Sequence, residues 1–301
     1  MAIDFRLTSH QRALQLESRR FAADVLANAR AAELLPTPEE RFRETKPVYE
    51  AMVAAGFLRK CIPVSAGGDN TGLIEMAIMA EEFYGVNASV ALTMLATVLG
   101  LLPILLGGTP EQVGRLLNPF LKKSGAPLAA FCATEPGGSA NAASPLPGEG
   151  VRTVAELKGD KWIINGRKKW ISSATGWDRK GADVLCVVCR TDAHAVPENA
   201  ISVIVVERPA PGVAFERAID TVGHRAHLTP LFGFENVSTP RSNLLGEEGN
   251  GLALAAAALP ARRHWSEFSA SRSCGRPSIL PCTSLGMNGV EAFIRSSSIK
   301  Q

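Results

Sequence analysis

The chain has 301 residues, of which 46% are hydrophobic and 20% charged, and its formal net charge is +3 at pH 7. This composition is ordinary for a folded globular protein and excludes disordered, collagen-like and disulfide-scaffold classes, and so small a charge gives no support for a nucleic-acid partner. Six scattered cysteines and no cleavable apolar segment at the N-terminus predict an intracellular protein, cytoplasmic rather than mitochondrial.

Helical patterns fill the first 125 residues. Thr8 and Gln11 form a predicted capping box, in which each side chain bonds the backbone N–H of the other residue at a helix start. Gly56 is placed to end a second helix in a left-handed conformation. The predicted helices start near Thr8, Val48, Leu73, Ala88 and Thr109. We therefore predict an all-α N-terminal domain over residues 1–125.

One predicted helix, residues 88–106, is apolar enough over its whole length to raise the question of a membrane span. Ser89, Thr93 and Pro103 interrupt the apolar run, and no basic residues flank it. We predict a buried central helix of a bundle and no membrane partner.

From about residue 126 the hydrophobic pattern changes to a period of two, which is typical of β-strands. Lys158, Gly159 and Asp160 separate two such runs, and Asn165-Gly166 is the strongest short hairpin signal in the chain. Further β-rich runs cover residues 182–190, 201–207 and 231–235. This spacing predicts a β-barrel or sandwich over residues 126–245, so the fold class is α+β, a helical domain followed by a β-barrel middle domain.

Two short patterns resemble metal-binding pairs, but each lacks further ligands. Cys186 and Cys189 form a CxxC pattern inside a run that reads as a buried strand. His224 and His227 are also an isolated pair, whereas a structural zinc needs four ligands. We predict no metal site.

A set of motifs runs through both halves in a specific order. In the helical half they are Asp4-Phe5-x-Leu7-Thr8, Ile62-Pro63 with Gly67-Gly68, Glu81-Glu82, and Gly108-Thr109-x-x-Gln112. In the β half they are Thr134-Glu135-Pro136, Lys169-Trp170-Ile171, Gly223-x-Arg225-Ala226 and Phe234-Glu235-Asn236-Val237. Together they resemble the N-terminal and middle domains of the acyl-CoA dehydrogenase superfamily. The stretch from Gly176-Trp177-Asp178 to Arg190 is similar to its nitroalkane oxidase-like branch.

The resemblance implies an FAD cofactor in the middle domain, with the ring between two segments of the chain. The first segment is Phe131, Cys132, Ala133 and Thr134, and the second is Trp170, Ile171 and Ser172, whose hydroxyl would approach the flavin N5 atom. Gly138 and Ser139 would allow close backbone approach to the cofactor or substrate, and Arg225 would be an auxiliary near the catalytic carboxylate.

Each of these residues also has a plainer interpretation. Trp170 could be a core aromatic, Thr134-Glu135-Pro136 a simple turn, and Arg225 a solvated surface arginine. The presence of both middle-domain motifs at the spacing seen in the family favours the flavin site.

The activity that the resemblance implies is that of a flavin-dependent oxidoreductase, in which a carboxylate base removes a proton from carbon and the flavin accepts the electrons. The substrate would be a small molecule, either an acyl-CoA thioester or a nitroalkane, and full-length family members are homodimers or homotetramers. Two alternatives stay open: a reduced-flavin monooxygenase on the same fold, and a catalytically inactive truncated remnant.

The tail departs from the family pattern. Residues 246–301 are predicted to start a helix and then to become irregular and disordered, so a truncated C-terminal helical domain without the carboxylate base is expected. Back-translation with permitted codons and a two-nucleotide shift turns residues 263–273 and 289–301 into sequences that resemble that domain. We therefore expect a frame-shifted tail, which sequencing of the gene would test.

Overall fold

A computed structural model of the protein describes residues 6–138, 142–144, 150–192, 194–196 and 199–258. A helical first half is followed by one mixed β-sheet, and a last helical stretch covers residues 251–258. The predicted contact residue Ser139, the motif residues Asp4 and Phe5, and the predicted frame-shifted tail from residue 259 onward lie outside the described residues.

The α-helices of the first half follow the predicted order. They are α1 (Ser9–Asp24), α2 (Pro38–Glu44), α3 (Lys46–Ala54), α4 (Leu73–Tyr84), α5 (Ala88–Gly107) and α6 (Pro110–Leu121). The predicted capping box is confirmed, because Gln11 N lies 3.2 Å from Thr8 Oγ1 and Thr8 N lies 3.0 Å from Gln11 Oε1. Helix α2 and the 3-10 turns of Leu26–Leu34 were not predicted, because both are too short or too irregular to show a helical period in the sequence.

Helix α5 forms the centre of the helical half, as predicted. By length and composition it could cross a membrane, yet 67% of its most apolar window is buried inside the protein. It packs on strand β1 (Ala129–Cys132), and a Cβ atom added at Gly100 would lie 2.4 Å from the carbonyl carbon of Ala129. Glycine is therefore required at this crossing, where the helix and strand backbones approach each other directly.

Every residue of strand β4 is buried. The strands after β1 are β2 (Val154–Lys158), β3 (Lys161–Lys169), β4 (Val184–Arg190), β5 (Ile201–Glu207), β6 (Val213–Ala218) and β7 (Pro230–Pro240). Strand β4 lies between β5, which is antiparallel to it, and β1, which is parallel. The sheet continues through β2, β3, β7 and β6, with β2 joined to β4 at the single pair of Val154 and Arg190. The three predicted β-rich runs are thus confirmed as strands.

The sheet is curled and open, so the predicted β-barrel is only partly right. Among the described strands, β6 pairs with β7 alone and β5 with β4 alone, so no hydrogen-bond ladder joins these two edges. The segment after β7 covers the β5 edge instead, where Leu245 N bonds Val203 O and Asn243 Nδ2 bonds Val205 O, each at 3.0 Å. An irregular segment thus occupies the place where a further strand would close the barrel.

The hairpin predicted at Asn165-Gly166 is wrong. Strand β3 runs through both residues, and the turn that joins β2 to β3 lies at Gly159 and Asp160. The register between β3 and β7 shifts between Ile164 and Gly166, which marks a bulge. Gly166 has a φ of +154°, so this glycine allows an unusual backbone conformation within the strand and does not form a turn.

Aromatic and ionic contacts hold the helical half against the sheet. The Phe42 ring of α2 stacks on Trp177 with 4.2 Å between centroids and 8° between planes. Arg41, which is almost fully buried, donates to Asp220 at 2.7 Å. Trp177 also donates its Nε1–H to Ala126 O at 2.8 Å. The loops that follow β3 and β6 are therefore both anchored to the N-terminal part of the protein.

Candidate functional site

The two predicted cofactor segments lie side by side where strands β1 and β3 end. Residues 131–134 lead out of β1, and residues 170–172 lead out of β3. The two strands are not neighbours in the sheet, yet Lys169 N donates to Thr134 O at 3.0 Å. This backbone bond joins the two strand exits directly and defines one compact candidate site.

Trp170 is half-exposed, and its backbone is strained. The residue is 49% exposed and its φ is +65°, a left-handed conformation that costs an L-residue about 1–2 kcal/mol. The Lys169 ammonium lies 4.9 Å from the centroid of the indole ring. Beyond it, Ser173 N bonds Leu228 O at 2.8 Å, which holds the far side of the segment. The indole is therefore a surface group, and the alternative of a core aromatic is excluded.

The strand exits carry hydrogen-bond donors that have no acceptor in the described part of the chain. These donors include the backbone N–H groups of Thr134, Ile171 and Ser172. The hydroxyls of Thr134 and Ser172 likewise bond to none of the described residues. A flavin ring presents carbonyl oxygens and ring nitrogens along one edge and gains electron density there on reduction. The donor set therefore fits an isoalloxazine ring.

The members of the first segment differ in accessibility. Cys132 is fully buried, and burial raises the pKa of its thiol to about 12, although the Lys168 ammonium acts in the opposite sense. Phe131 is 9% exposed, whereas Ala133 and Thr134 are half-buried. Cys132 is thus a core thiol, and Ala133 and Thr134 are the accessible part of the segment.

Position 138 requires glycine because of its backbone conformation, and not because a side chain would lack space. Its φ is +98°, and a Cβ atom added there would meet nothing within 4 Å. Its N–H bonds Glu135 O at 3.0 Å. The plainer interpretation of Thr134-Glu135-Pro136 as a turn is therefore correct for the backbone, and Pro136 to Gly138 are exposed among the described residues.

A buried ion pair that the sequence analysis missed lies behind the two strand exits. Lys168 Nζ lies 2.7 Å from Glu135 Oε1, and both side chains are almost fully buried. Thr153 donates to the same carboxylate through its N–H at 3.0 Å and its hydroxyl at 2.6 Å. Burial alone would raise the pKa of Glu135, but the Lys168 charge and these bonds outweigh it and hold the pKa below its ordinary value. Glu135 is therefore a structural carboxylate and not a proton acceptor.

Arg225 and His227 lie on the loop between β6 and β7. Arg225 is exposed and lowers the pKa of Asp220, after the larger effect of the Arg41 hydrogen bond. His227 is buried with its Nδ1 atom 2.9 Å from Thr93 Oγ1, and burial lowers the pKa of its ring to about 3. The exposure of Arg225 agrees with a surface arginine, and its auxiliary role stays a prediction.

The CxxC pattern is part of the core. Cys186 and Cys189 lie on β4, where successive side chains alternate between faces, so residues three apart point to opposite sides of the sheet. Both are fully buried, and burial raises the pKa of Cys189 to about 12. Over the described ranges, no group of three or more His, Cys, Asp or Glu side chains could hold a metal ion.

Known protein families match both halves of the chain. Residues 8–124 match the family model described as acyl-CoA dehydrogenase, N-terminal domain. Residues 130–237 match the model described as acyl-CoA dehydrogenase, middle domain. All described residues of the candidate site lie inside the second match.

Individual relatives include oxidases and dehydrogenases. Nitroalkane oxidase from Podospora anserina is 40% identical over 269 residues, which cover 85% of this chain and 62% of that protein. Its solved structure matches with a TM-score of 0.84 and 37% identity, over 90% of this chain and 66% of that one. Cyclohex-1-ene-1-carbonyl-CoA dehydrogenase from Geobacter metallireducens is 32% identical over 240 residues, 79% of this chain and 60% of that protein.

One similar solved structure holds a cofactor. It is an acyl-CoA dehydrogenase from Bacillus anthracis complexed with FAD, which matches with a TM-score of 0.75 and 26% identity. The match covers 89% of this chain and 43% of that one. The present chain spans about three-fifths of the length of the curated relatives it matches.

Proposed function

Because the chain belongs to the acyl-CoA dehydrogenase family through its N-terminal and middle domains, we propose that it forms the flavin-facing part of an FAD-dependent oxidoreductase. The reaction would remove a proton from a carbon atom of a small substrate and pass the electrons to the flavin. The observation that carries the proposal is the set of unpartnered donors at the adjacent exits of β1 and β3, within the described part of the chain.

The residues at the exits would bind and orient the ring. The N–H groups of Thr134 and Ile171 would donate to its polar edge, and the Ser172 hydroxyl would donate to the ring nitrogen that becomes electron-rich. The indole of Trp170 would exclude water from one side of the ring. Bound FAD supplies the capacity to accept an electron pair. Donors that are fixed in advance stabilise the arriving charge without having to reorganise.

A nitroalkane is the substrate class that we propose first. It is supported by the Podospora anserina nitroalkane oxidase relative and by the branch-like stretch that begins at Gly176. That stretch anchors the site loop: Trp177 stacks on Phe42, and Asp178 accepts from Arg208 Nη1 at 2.9 Å. The resemblance also implies a carboxylate base. Glu135 does not suit this role, because both of its oxygens already accept hydrogen bonds within the protein, so the base stays a prediction.

An acyl-CoA thioester is the second candidate. It is supported by the Geobacter metallireducens relative, whose name is that of an acyl-CoA dehydrogenase of a cyclic substrate. Both substrates carry an acidic C–H bond next to an electron-withdrawing group, so the same flavin geometry would serve either one. Assembly into a homodimer or homotetramer likewise stays part of the proposal.

Titration with FAD tests the cofactor. We expect the protein to quench FAD fluorescence and to give a visible flavin absorption band that stays with it through a desalting column. The variant Ser172→Ala should weaken binding or shift the band. The matched control is Ser238→Ala, which removes an exposed hydroxyl on β7 and should change neither readout. Absence of any bound flavin at saturating FAD would contradict the proposal.

Anaerobic addition of substrate tests the reaction class. The preformed anion of a nitroalkane already lacks the proton that a base would remove, so it isolates the electron-transfer step from proton abstraction. We expect this anion to bleach the flavin band. Bleaching by an acyl-CoA thioester and not by the anion would favour the second candidate, and a flavin that neither compound bleaches would contradict both.

A further inference from the structure

The Glu135–Lys168 pair joins four segments of the chain. Lys168 Nζ donates to Glu135 Oε1 and to Val188 O, each at 2.7 Å. The Glu135 carboxylate also accepts from Arg152 N at 2.8 Å and from both donors of Thr153. These bonds connect the exit of β1, the end of β3, the middle of β4 and the residues that lead into β2. A single buried charge pair is therefore the meeting point of the segments around the candidate site.

The pair lies directly behind the two flavin-facing segments. Glu135 follows Thr134 in the chain, and Lys168 precedes Trp170 by two residues. The backbone bond from Lys169 N to Thr134 O lies between these positions. A change in the separation of the two charged groups would therefore change the separation of the two strand exits.

Stability alone does not account for this pair. Well-packed apolar side chains of similar volume commonly replace a buried ion pair without loss of stability, because desolvation of the charges offsets their attraction. Charged hydrogen bonds differ from apolar contacts in that they accept a narrow range of distances and directions. The strained backbone of Trp170 follows two residues later and persists only when its neighbours hold it in place. These properties suit a role in fixing the positions of the neighbouring chain segments.

We propose that Glu135 and Lys168 form a positioning pair, which sets the separation and relative placement of the Thr134 and Trp170 segments that face the flavin. The pair acts through its neighbours in the chain, so neither charged group is a catalytic residue. This inference rests on the proposed flavin function. It says which residues keep the two flavin-facing segments in their positions relative to each other.

A double replacement tests the proposal. The variant Glu135→Gln with Lys168→Met removes both charges and keeps similar volumes. We expect it to melt within a few degrees of the unchanged protein and to bind FAD about tenfold more weakly, with an altered visible circular dichroism of the bound flavin. The matched control is Arg167→Gln with Glu216→Gln, which removes an exposed ion pair between β6 and the residue of β3 next to Lys168 and should leave both readouts unchanged. FAD affinity within twofold of the unchanged protein in the folded double variant would overturn the proposal.

A milder variant decides the matter if the double variant does not fold. Thr153→Val keeps the charge pair and removes the hydroxyl bond to Glu135 Oε1. Loss of one such bond predicts about threefold weaker FAD binding, together with a melting temperature that is lower by a few degrees. A lower melting temperature with unchanged FAD affinity of the folded protein would show that the network is structural only and would overturn the proposal.

A measurement without flavin separates this inference from the proposed function. Failure of the unchanged protein to bind FAD would contradict the proposed function by itself. Amide hydrogen exchange of residues 133–138 and 169–173 would still test the pair in the cofactor-free protein. We expect faster exchange in these residues in the double variant, or in Thr153→Val, and not in the Arg167 and Glu216 control. Unchanged exchange would overturn the positioning role whatever the cofactor.

Discussion

Trp177 stacks on Phe42 with their ring planes only 8° apart, so one aromatic pair joins the loop after β3 to helix α2. The indole also donates to Ala126 O at 2.8 Å, and Tyr49 packs against it at 5.6 Å between centroids. The loop that carries Trp170 to Ser172 is therefore held from the helical half of the protein as well as from the sheet.

Replacing Trp177 should destabilise the protein strongly. Trp177→Ala removes the stacking, the hydrogen bond and a large buried area, and we expect a loss of about 2–4 kcal/mol in the free energy of unfolding. Trp177→Phe keeps an aromatic ring and should cost about 1 kcal/mol through the lost hydrogen bond. Urea denaturation measures both variants, and equal effects of the two would contradict this account.

Replacing Trp170, in contrast, should have little effect on the stability of the protein. Trp170→Gly relieves the left-handed strain of about 1–2 kcal/mol but gains chain flexibility worth about 0.5–1 kcal/mol, so the free energy of unfolding should stay within about 1 kcal/mol. FAD affinity should fall because the indole is removed from the proposed site. Trp170→Leu serves as the control that keeps the strain. Strong destabilisation by the glycine variant would show that Trp170 is a structural residue after all.

The buried His227 should make stability depend on pH. In the unfolded chain its pKa is near the ordinary 6.5, whereas burial lowers the folded pKa to about 3. Below pH 6.5 the unfolded state therefore binds a proton that the folded state excludes, and stability falls as pH falls. The expected slope approaches roughly 1.4 kcal/mol per pH unit below that value.

Denaturation between about pH 7 and pH 5 measures this slope, in a range where carboxylates stay largely ionised. His227→Gln should remove most of it, and the rest comes from His224, whose pKa partial burial also lowers, whereas replacement of the exposed His194 by Gln should leave it unchanged. An unchanged slope in His227→Gln would assign the pH dependence to other groups.

Two glycines in helices should respond with opposite signs. Gly100→Ala places a methyl group 2.4 Å from the Ala129 carbonyl carbon, and such overpacking costs about 1–3 kcal/mol or more. Gly114 in α6 is exposed, and a Cβ atom there would meet nothing within 4 Å. Gly114→Ala should therefore raise stability by about 0.5–1 kcal/mol through helix propensity. Equal melting temperatures for the two variants would contradict the close approach of α5 and β1.

Local signals explain which parts of the fold were predictable. The helix starts at Thr8 and Thr109 depend on residues three positions apart, so the sequence alone predicts them, and both capping boxes are present. Asn165-Gly166 failed as a hairpin signal because the cross-strand partner of Gly166, Phe234 on β7, is distant in sequence. The openness of the sheet also depends on such distant pairings.

The candidate site could also be predicted only in part, because its contacts join residues that are distant in sequence. Its motifs could be located in the sequence, but the bond between Lys169 and Thr134 and the ion pair behind it join residues more than thirty positions apart. One signal for the pair was present: Lys168 is separated from the buried Ile164 by an even number of positions, which places it on the inner face of β3. A buried lysine requires a partner, and Glu135 was a carboxylate in the other middle-domain motif to which no role had been assigned.

The close crossing of α5 over β1 extends the region in which sequence changes affect the site. Strand β1 is short, and Thr134 lies only five residues after Ala129, which Gly100 of α5 approaches most closely. A substitution that shifts the helix by a fraction of an ångström would shift the start of this strand, and a strand of four residues has little length over which to absorb the displacement. Flavin affinity should therefore be sensitive to repacking around Gly100, at positions that touch no ligand.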